Sequence, residues 1–298
     1  MKRALKWFAI IVGGLLLVLL AGVLFITSST NRRLNTEYDF DVAALTIPTD
    51  AAALARGEHL VETLCVGCHG DDLGGTILIE DPALAIVAAS NLTRGQGGVG
   101  GQYGDEDWVR AIRHGSNSEG QALFIMPAAD FYFLSDEDLA AVIAYVKSVP
   151  AVDQEWPERE IGTLGKILIG IGAFGDVLNV ETIPHEAARP AAVPAGTNAA
   201  YGEYLVNISS CRSCHGTNLA GGQDGEPGAP PAHNLTPGGE LAGWTEAEFQ
   251  TVLRTGQTPD GRQLSEFMPW QTLGNYSDEE LTAIWLYLNE QPALPTNE

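Results

Sequence analysis

Cys65-Val66-Gly67-Cys68-His69 and Cys211-Arg212-Ser213-Cys214-His215 together use every cysteine in the chain. A Cys-x-x-Cys pair alone fits a redox dithiol, half of a zinc site or a disulfide. The histidine directly after the second cysteine, in both copies, selects among these. Two thiols add to the two vinyl groups of one haem, and the adjacent histidine then reaches the iron as proximal ligand. A dithiol has no use for that histidine. A four-cysteine zinc site leaves both histidines unexplained and requires the distant pairs to meet. The sequence therefore predicts two covalent haem c groups, one on Cys65 and Cys68 and one on Cys211 and Cys214, with His69 and His215 on the irons.

Outward from these pentapeptides the two halves of the chain match. Arg56-Gly57-Glu58-His59-Leu60-Val61 answers Tyr201-Gly202-Glu203-Tyr204-Leu205-Val206, and Asn91-Leu92-Thr93 answers Asn234-Leu235-Thr236. Arg113-His114-Gly115 answers Arg254-Thr255-Gly256, and Met126-Pro127 answers Met268-Pro269. Leu134-Ser135-Asp136-Glu137 answers Tyr276-Ser277-Asp278-Glu279. Self-similarity at this spacing means two copies of one domain, placed at residues 51–150 and 197–292 with a linker at 151–196.

Each copy reads as helical, so the expected fold is all-α. Residues 52–64 and 199–210 form the helix that delivers the cysteines. Middle helices begin near Asp105 and Thr245, where Thr245-x-x-Glu248 is a capping box. Final helices begin at Ser135 and Ser277, both good N-caps followed by acidic residues that suit the positive end of the helix dipole. Leu139, Val142, Ile143 and Val146 form one apolar stripe, and Leu281, Ile284, Trp285 and Leu288 the other. The glycine-rich stretches Gly95 to Gly104 and Gly221 to Gly228 read as loops around the haems rather than strands. Within the linker, residues 161–180 are moderately apolar but carry Lys166 and Asp176. That stretch is too weak for a membrane span. It reads as a short helix packed between the two domains, or alternatively as one lying on a membrane surface.

Each iron has one axial position left. Apart from the initiator, the only methionines are Met126 and Met268, at matching places in the repeat. A lone methionine is ordinarily a core filler; two at equivalent positions predict His/Met ligation, which raises the potential. Nothing repeats His59, His114, His185 or His233, so none is expected on iron. Arg113 and Arg254 are candidates for pairing with haem propionates, against surface solvation. Tyr145 and Tyr287 read as core, with haem-edge packing the alternative. Pro82 and Pro230 are candidates for the carbonyl that orients each proximal histidine.

The one long apolar run, Trp7 to Ile26, is uncharged and long enough to cross a ~30 Å hydrocarbon core. Lys2, Arg3 and Lys6 precede it, which predicts a cytoplasmic N-terminus and haem domains on the extracytoplasmic side. A cleaved signal peptide is the alternative. Its apolar region would run only ~7–15 residues, ahead of a small-x-small cleavage site. A retained single-pass anchor at residues 1–33 is therefore expected, its apolar run followed by a polar stretch from Thr27 to Asn31 before the domains. The chain carries 38 acidic and 16 basic residues. Five of the basic ones and none of the acidic ones lie in residues 1–33. That leaves eleven basic against 38 acidic residues beyond, a formal −27. Such a surface repels nucleic acid and attracts a basic redox protein, with simple solubility the alternative to a steering role.

These motifs resemble the class I cytochrome c family: a haem-binding helix, an Asn-Leu-Thr segment, a Met-Pro loop and a final Ser-Asp-Glu helix. The tandem arrangement is similar to the cytochrome subunits of membrane-bound alcohol, aldehyde or sugar dehydrogenases, on Asn234-Leu235-Thr236-Pro237 and Gly261-Arg262-Gln263-Leu264. It also resembles the membrane-anchored dihaem subunit of some haem-copper oxidases. The resemblance implies an electron carrier with redox protein partners. A dihaem peroxidase would instead need an open iron and an acid–base residue above it, and two Met-Pro loops argue against that.

Overall fold

A computed structural model describes residues 2–222 and 229–297. Most of the loop from Gly221 to Gly228 thus lies outside the described residues. The chain opens with α1 (Lys2–Leu34), a single unbroken helix. The first repeat holds α2 (Ala51–Leu64), α3 (Val66–His69), α4 (Asp105–His114), α5 (Ala128–Phe131) and α6 (Asp136–Ser148). The linker contributes α7 (Thr163–Gly170). The second repeat holds α8 (Ala199–Ile208), α9 (Cys211–His215), α10 (Glu246–Thr255), α11 (Trp270–Leu273) and α12 (Asp278–Glu290).

The caps explain these boundaries. The side chains of Asp50, Ser135 and Ser277 accept from the backbone amides of Ala53, Asp138 and Glu280. Thr245 and Glu248 form the reciprocal capping box. Gly115 and Gly256 end α4 and α10 in the left-handed conformation.

In each repeat the haem-delivering helix crosses the final helix, α2 on α6 and α8 on α12. A Cβ on Gly57 would stand 2.9 Å from the Tyr145 Cβ, and one on Gly202 2.9 Å from the Tyr287 Cβ, with the Ala141 and Ala283 carbonyls closer still. Only glycine lets the backbones touch here, which places Tyr145 and Tyr287 in the helix crossing rather than at a haem edge. One hydrophobic core runs through both repeats. It includes Leu60, Leu139 and Ile143 from the first and Leu205, Leu281 and Leu288 from the second.

The fold is mostly helical, but a small antiparallel sheet departs from the all-α expectation. β1 (Thr76–Asp81), β2 (Ala85–Ala89) and β3 (Glu160–Ile161) pair in that order. Thr76-Ile77-Leu78-Ile79 and Ile86-Val87 are β-formers flanking an Asp81-Pro82 turn, so the hairpin was readable in that segment. The linker helix does not pack between the two repeats as expected: β3 joins the hairpin, and α7 packs against the C-terminal end of α1. Residues 27–31, expected as a polar stretch ahead of the domains, continue α1, and its last turns dock. Thr30 and Leu34 are buried, Arg33 pairs with Glu181, and the Arg159 guanidinium donates to the Leu34 carbonyl at 3.1 Å.

Candidate haem-binding clefts

The attachment turns follow directly from helix geometry. α2 ends at Cys65 and the short α3 carries Val66 to His69; α8 ends at Ser209 and α9 carries Cys211 to His215. The Nδ1 of His69 lies 2.8 Å from the Ser90 carbonyl, and that of His215 lies 2.6 Å from the His233 carbonyl. A carbonyl only accepts, so each Nδ1 carries the proton and each Nε2 keeps its lone pair for a metal. Burial pushes the pKa of both histidines down, which keeps them neutral.

Pro82 and Pro230 therefore do not orient these rings. The acceptors are the residues just before Asn91-Leu92-Thr93 and Asn234-Leu235-Thr236. That position is fixed by the motif itself. The Asn91 Oδ1 accepts from the Thr93 amide and hydroxyl at 2.9 and 2.8 Å, and the Asn91 amide donates to the Val152 carbonyl at 2.7 Å. Asn234 repeats this with Thr236 and the Leu294 carbonyl. The repeated Asn-x-Thr was the signal; its role as a clamp behind the histidine needed three dimensions.

In the second repeat, Cys211, Cys214 and His215 line one apolar cavity together with Met268, Trp244 and Phe249. In the first, Met126 packs half-buried on the same core as Cys65, Leu92 and Tyr103. Burial pushes the Cys65 and Cys211 thiols up to about 12, which disfavours the thiolate that zinc binding or disulfide exchange requires. Among the described residues, no group of three or more His, Cys, Asp or Glu side chains gathers to hold a metal. Two cysteines, a neutral histidine and a methionine around an apolar slot suit a haem. The Trp108 Nε1 is buried without a partner among the described residues. Trp108 occupies the repeat position of Phe249, a wall of the second cavity, so this spare donor fits an acceptor such as a haem carboxylate.

Arg113 and Arg254 are largely committed to other partners, with the buried Arg113 Nε left spare among the described residues. The Arg113 guanidinium donates to Asp136 at 2.7 Å and to the Leu134 carbonyl at 3.0 Å. Arg254 donates to Asp278 at 2.7 Å and to the Tyr276 and Gly274 carbonyls. Both tie a middle helix to the start of the final helix. The guanidinium that does line the second cavity is Arg262, held by Glu240 at 2.6 Å and by the His233 ring at 3.0 Å. The sequence placed Arg262 in a family-like segment but gave it no role, because its repeat partner is Gln121.

The two clefts are cross-braced. Ser213, inside the second attachment turn, donates to Asp130 of α5 at 2.9 Å. Thr272 of α11 lies against Gly67 in the first turn, and Asn275 donates to the Glu62 carbonyl at 2.9 Å. Each short helix that follows a Met-Pro thus seats on the other repeat's attachment turn. Between the repeats, Arg56 donates to Asp138 at 2.8 Å and to Glu280 at 3.0 Å. The His59 ring meets Glu280 at 2.6 Å, and Tyr204 donates to Asp138 at 2.6 Å.

A family described as cytochrome c oxidase, cbb3-type, subunit III matches residues 52–146 and again 197–288. The chain belongs to this cytochrome c family, with two of its domain regions in tandem. Among curated proteins it is 27% identical over 275 residues to the fructose dehydrogenase cytochrome subunit of Gluconobacter japonicus, covering 83% of this chain and 55% of that one. It is 27% identical over 281 residues to the alcohol dehydrogenase (quinone) cytochrome c subunit of Gluconobacter oxydans (strain 621H), covering 83% and 56%. The gluconate 2-dehydrogenase cytochrome c subunit of Pantoea cypripedii is 26% identical over 269 residues, covering 80% and 59%. The chain spans little more than half the length of these relatives. A tandem cytochrome c implies haem c and electron transfer.

Proposed function

We propose that this cytochrome is a membrane-anchored dihaem electron carrier on the extracytoplasmic face, accepting electrons from a membrane-bound dehydrogenase and passing them to another redox protein. In this reading Cys65, Cys68, His69 and Met126 hold one haem, and Cys211, Cys214, His215 and Met268 hold the other. The observation that carries it is one apolar cavity lined by His215, Met268 and both attachment cysteines of the second repeat, whose motif recurs in sequence around His69 and Met126. Bound haem supplies a one-electron iron couple. The chain fixes the ligands, keeps each histidine neutral and excludes water. The domains extend over residues 51–150 and 197–292.

Retention of the anchor is supported by its outer end. Thr30 and Leu34 are buried, Leu34 against Leu178 and Val180, and the Arg33–Glu181 pair on the same helix face adds to that docking. Cleavage of a signal peptide beyond Thr30 would open that packing. The dehydrogenase names of the relatives favour a dehydrogenase as donor.

The test begins with mass spectrometry after acid–acetone extraction, which should leave two haem masses on the chain. The oxidised protein should show the near-infrared sulfur-to-iron band at two-centre intensity. Bis-histidine spectra without that band would overturn the methionine assignment. Proteins co-purifying in mild detergent should include a dehydrogenase subunit; an oxidase core in its place would reassign the donor.

A further inference from the structure

The linker helix α7 and the turn after it run downward along α1. The Lys166 ammonium donates to the Asn31 side chain at 2.9 Å, whereas a Cβ on Gly170, four residues later, would meet Ile26 and, at 2.6 Å, the Thr30 hydroxyl. α7 therefore descends antiparallel to α1, from the level of Asn31 to that of Ile26, the last residue of the uncharged run. The chain then reverses. Gly172 and Gly175 adopt φ of +75° and +65° with open space where a Cβ would stand, and Gly172 donates back to the Ile169 carbonyl at 3.0 Å. From there the chain climbs back to Glu181, which meets Arg33.

The three faces of α7 differ. Gly165 and Ile169 are buried against the protein, and Lys166 and Gly170 face α1. Leu164, Leu168 and Ile171 share the remaining side at helical spacing. Leu164 is 47% and Ile171 60% exposed, and Phe174 at the tip is half-buried. Residues 167–175 hold no charge, bracketed by Lys166 above and Asp176 on the return. Such a surface is unfavourable in water and has a ready partner at its own height, since Phe25 on the neighbouring α1 is 74% exposed where the span leaves the bilayer.

We propose that the α7 tip, residues 171–175 with Leu164 and Leu168 above them, dips into the outer lipid interface as a second membrane contact beside the spanning helix. The occupant of this face is lipid. The inference rests on the reading of α1 as a retained anchor, which alone sets the height of the tip. Two contacts side by side fix the tilt of the haem repeats on the membrane, where a single helix would leave them free to swing.

The test uses the full chain in proteoliposomes, with its native cysteines held as thioethers. A nitroxide is placed singly through Ile171→Cys, Phe174→Cys, Leu17→Cys in the anchor and Ala242→Cys on the exposed surface of the second repeat. Collision with oxygen, which concentrates in lipid, is compared with collision with a water-soluble nickel chelate. The oxygen-to-nickel ratio should be several-fold higher at 171 and 174 than at 242, and in the same direction as at 17. A ratio at 171 and 174 equal to that at 242, with Leu17 still lipid-like, overturns the proposal and leaves the anchor standing. A water-like ratio at Leu17 overturns the anchor and the proposal with it.

Discussion

At the scale of single residues, the chemistry of this protein depends on which neighbour each ligand has. Cys65, Cys68, His69 and their second-repeat counterparts were legible because thioether chemistry needs those types in that order. The Ser90 and His233 carbonyls were not, because any residue supplies a carbonyl and only the Asn-x-Thr clamp fixes its position. Replacement of Met268 by His should lower the potential of the second-repeat haem and leave the first unchanged, read by potentiometric titration of the visible bands. A second shift arises across the interface. Asp130 meets the second attachment turn, whereas its repeat position against the first turn is the neutral Thr272. Burial raises the Asp130 pKa above its ordinary value, and the Ser210 and Ser213 hydroxyls oppose that shift without reversing it. Asp130→Asn should therefore raise the second haem's potential by something on the order of tens of mV, against 59 mV for a tenfold change in a one-electron equilibrium. Equal movement of both haems, or of neither, would show that the charge acts elsewhere.

Among the elements, helices were readable from caps and stripes, and their starts at Asp105, Thr245, Ser135 and Ser277 agree with the structure to within a residue. The sheet was less legible than the helices because its strands are short, although its β-formers flank a turn, and β3 has only two residues. The packing of α7 was not legible because its partner, the end of α1, lies far back in the sequence, 135 residues from Lys166 to Asn31, with no motif that pairs them. The α8–α12 crossing permits no side chain at Gly202. Gly202→Val should destabilise the fold by about 3 kcal/mol or more in urea titration, whereas Gly243→Val, with open space around it, should change little. Acid should act on two elements in sequence. His114 at the end of α4 is pushed down to about 4 by burial, then by His185 and Arg113. Its neutral form contributes stability above the ordinary histidine range, and this is lost as pH falls from about 6.5 towards 4. Burial alone would raise Glu280, but His59, the Ser277 amide and Arg56 hold it at about 2. Its contribution is present above about 4.5 and disappears below. The urea midpoint should fall across both windows; His114→Gln should flatten the upper and Glu280→Gln the lower.

For the molecule as a whole, charge and assembly dominate. The formal −27 beyond residue 33 should speed encounter with a cationic soluble cytochrome, and salt screens it with a Debye length of about 10 Å at 0.1 M. Second-order electron-transfer rates in stopped flow should drop steeply across a salt series; a flat series would point to a permanent apolar complex instead. A soluble form must also respect the docked end of α1. A chain starting at Thr27 behind a cleavable signal keeps Thr30, Arg33 and Leu34, and should melt higher than one starting at Asn35. The reciprocal seating of α5 and α11 has a consequence for biogenesis. Neither repeat can close its final surface until the other has presented a completed attachment turn, so the chain matures as one unit. In Cys211→Ala/Cys214→Ala, the half-finished protein should retain one haem yet be cleared by proteases, with a shorter pulse-chase lifetime than the wild type. The fold would thereby act as its own inspector, letting only the doubly loaded cytochrome persist.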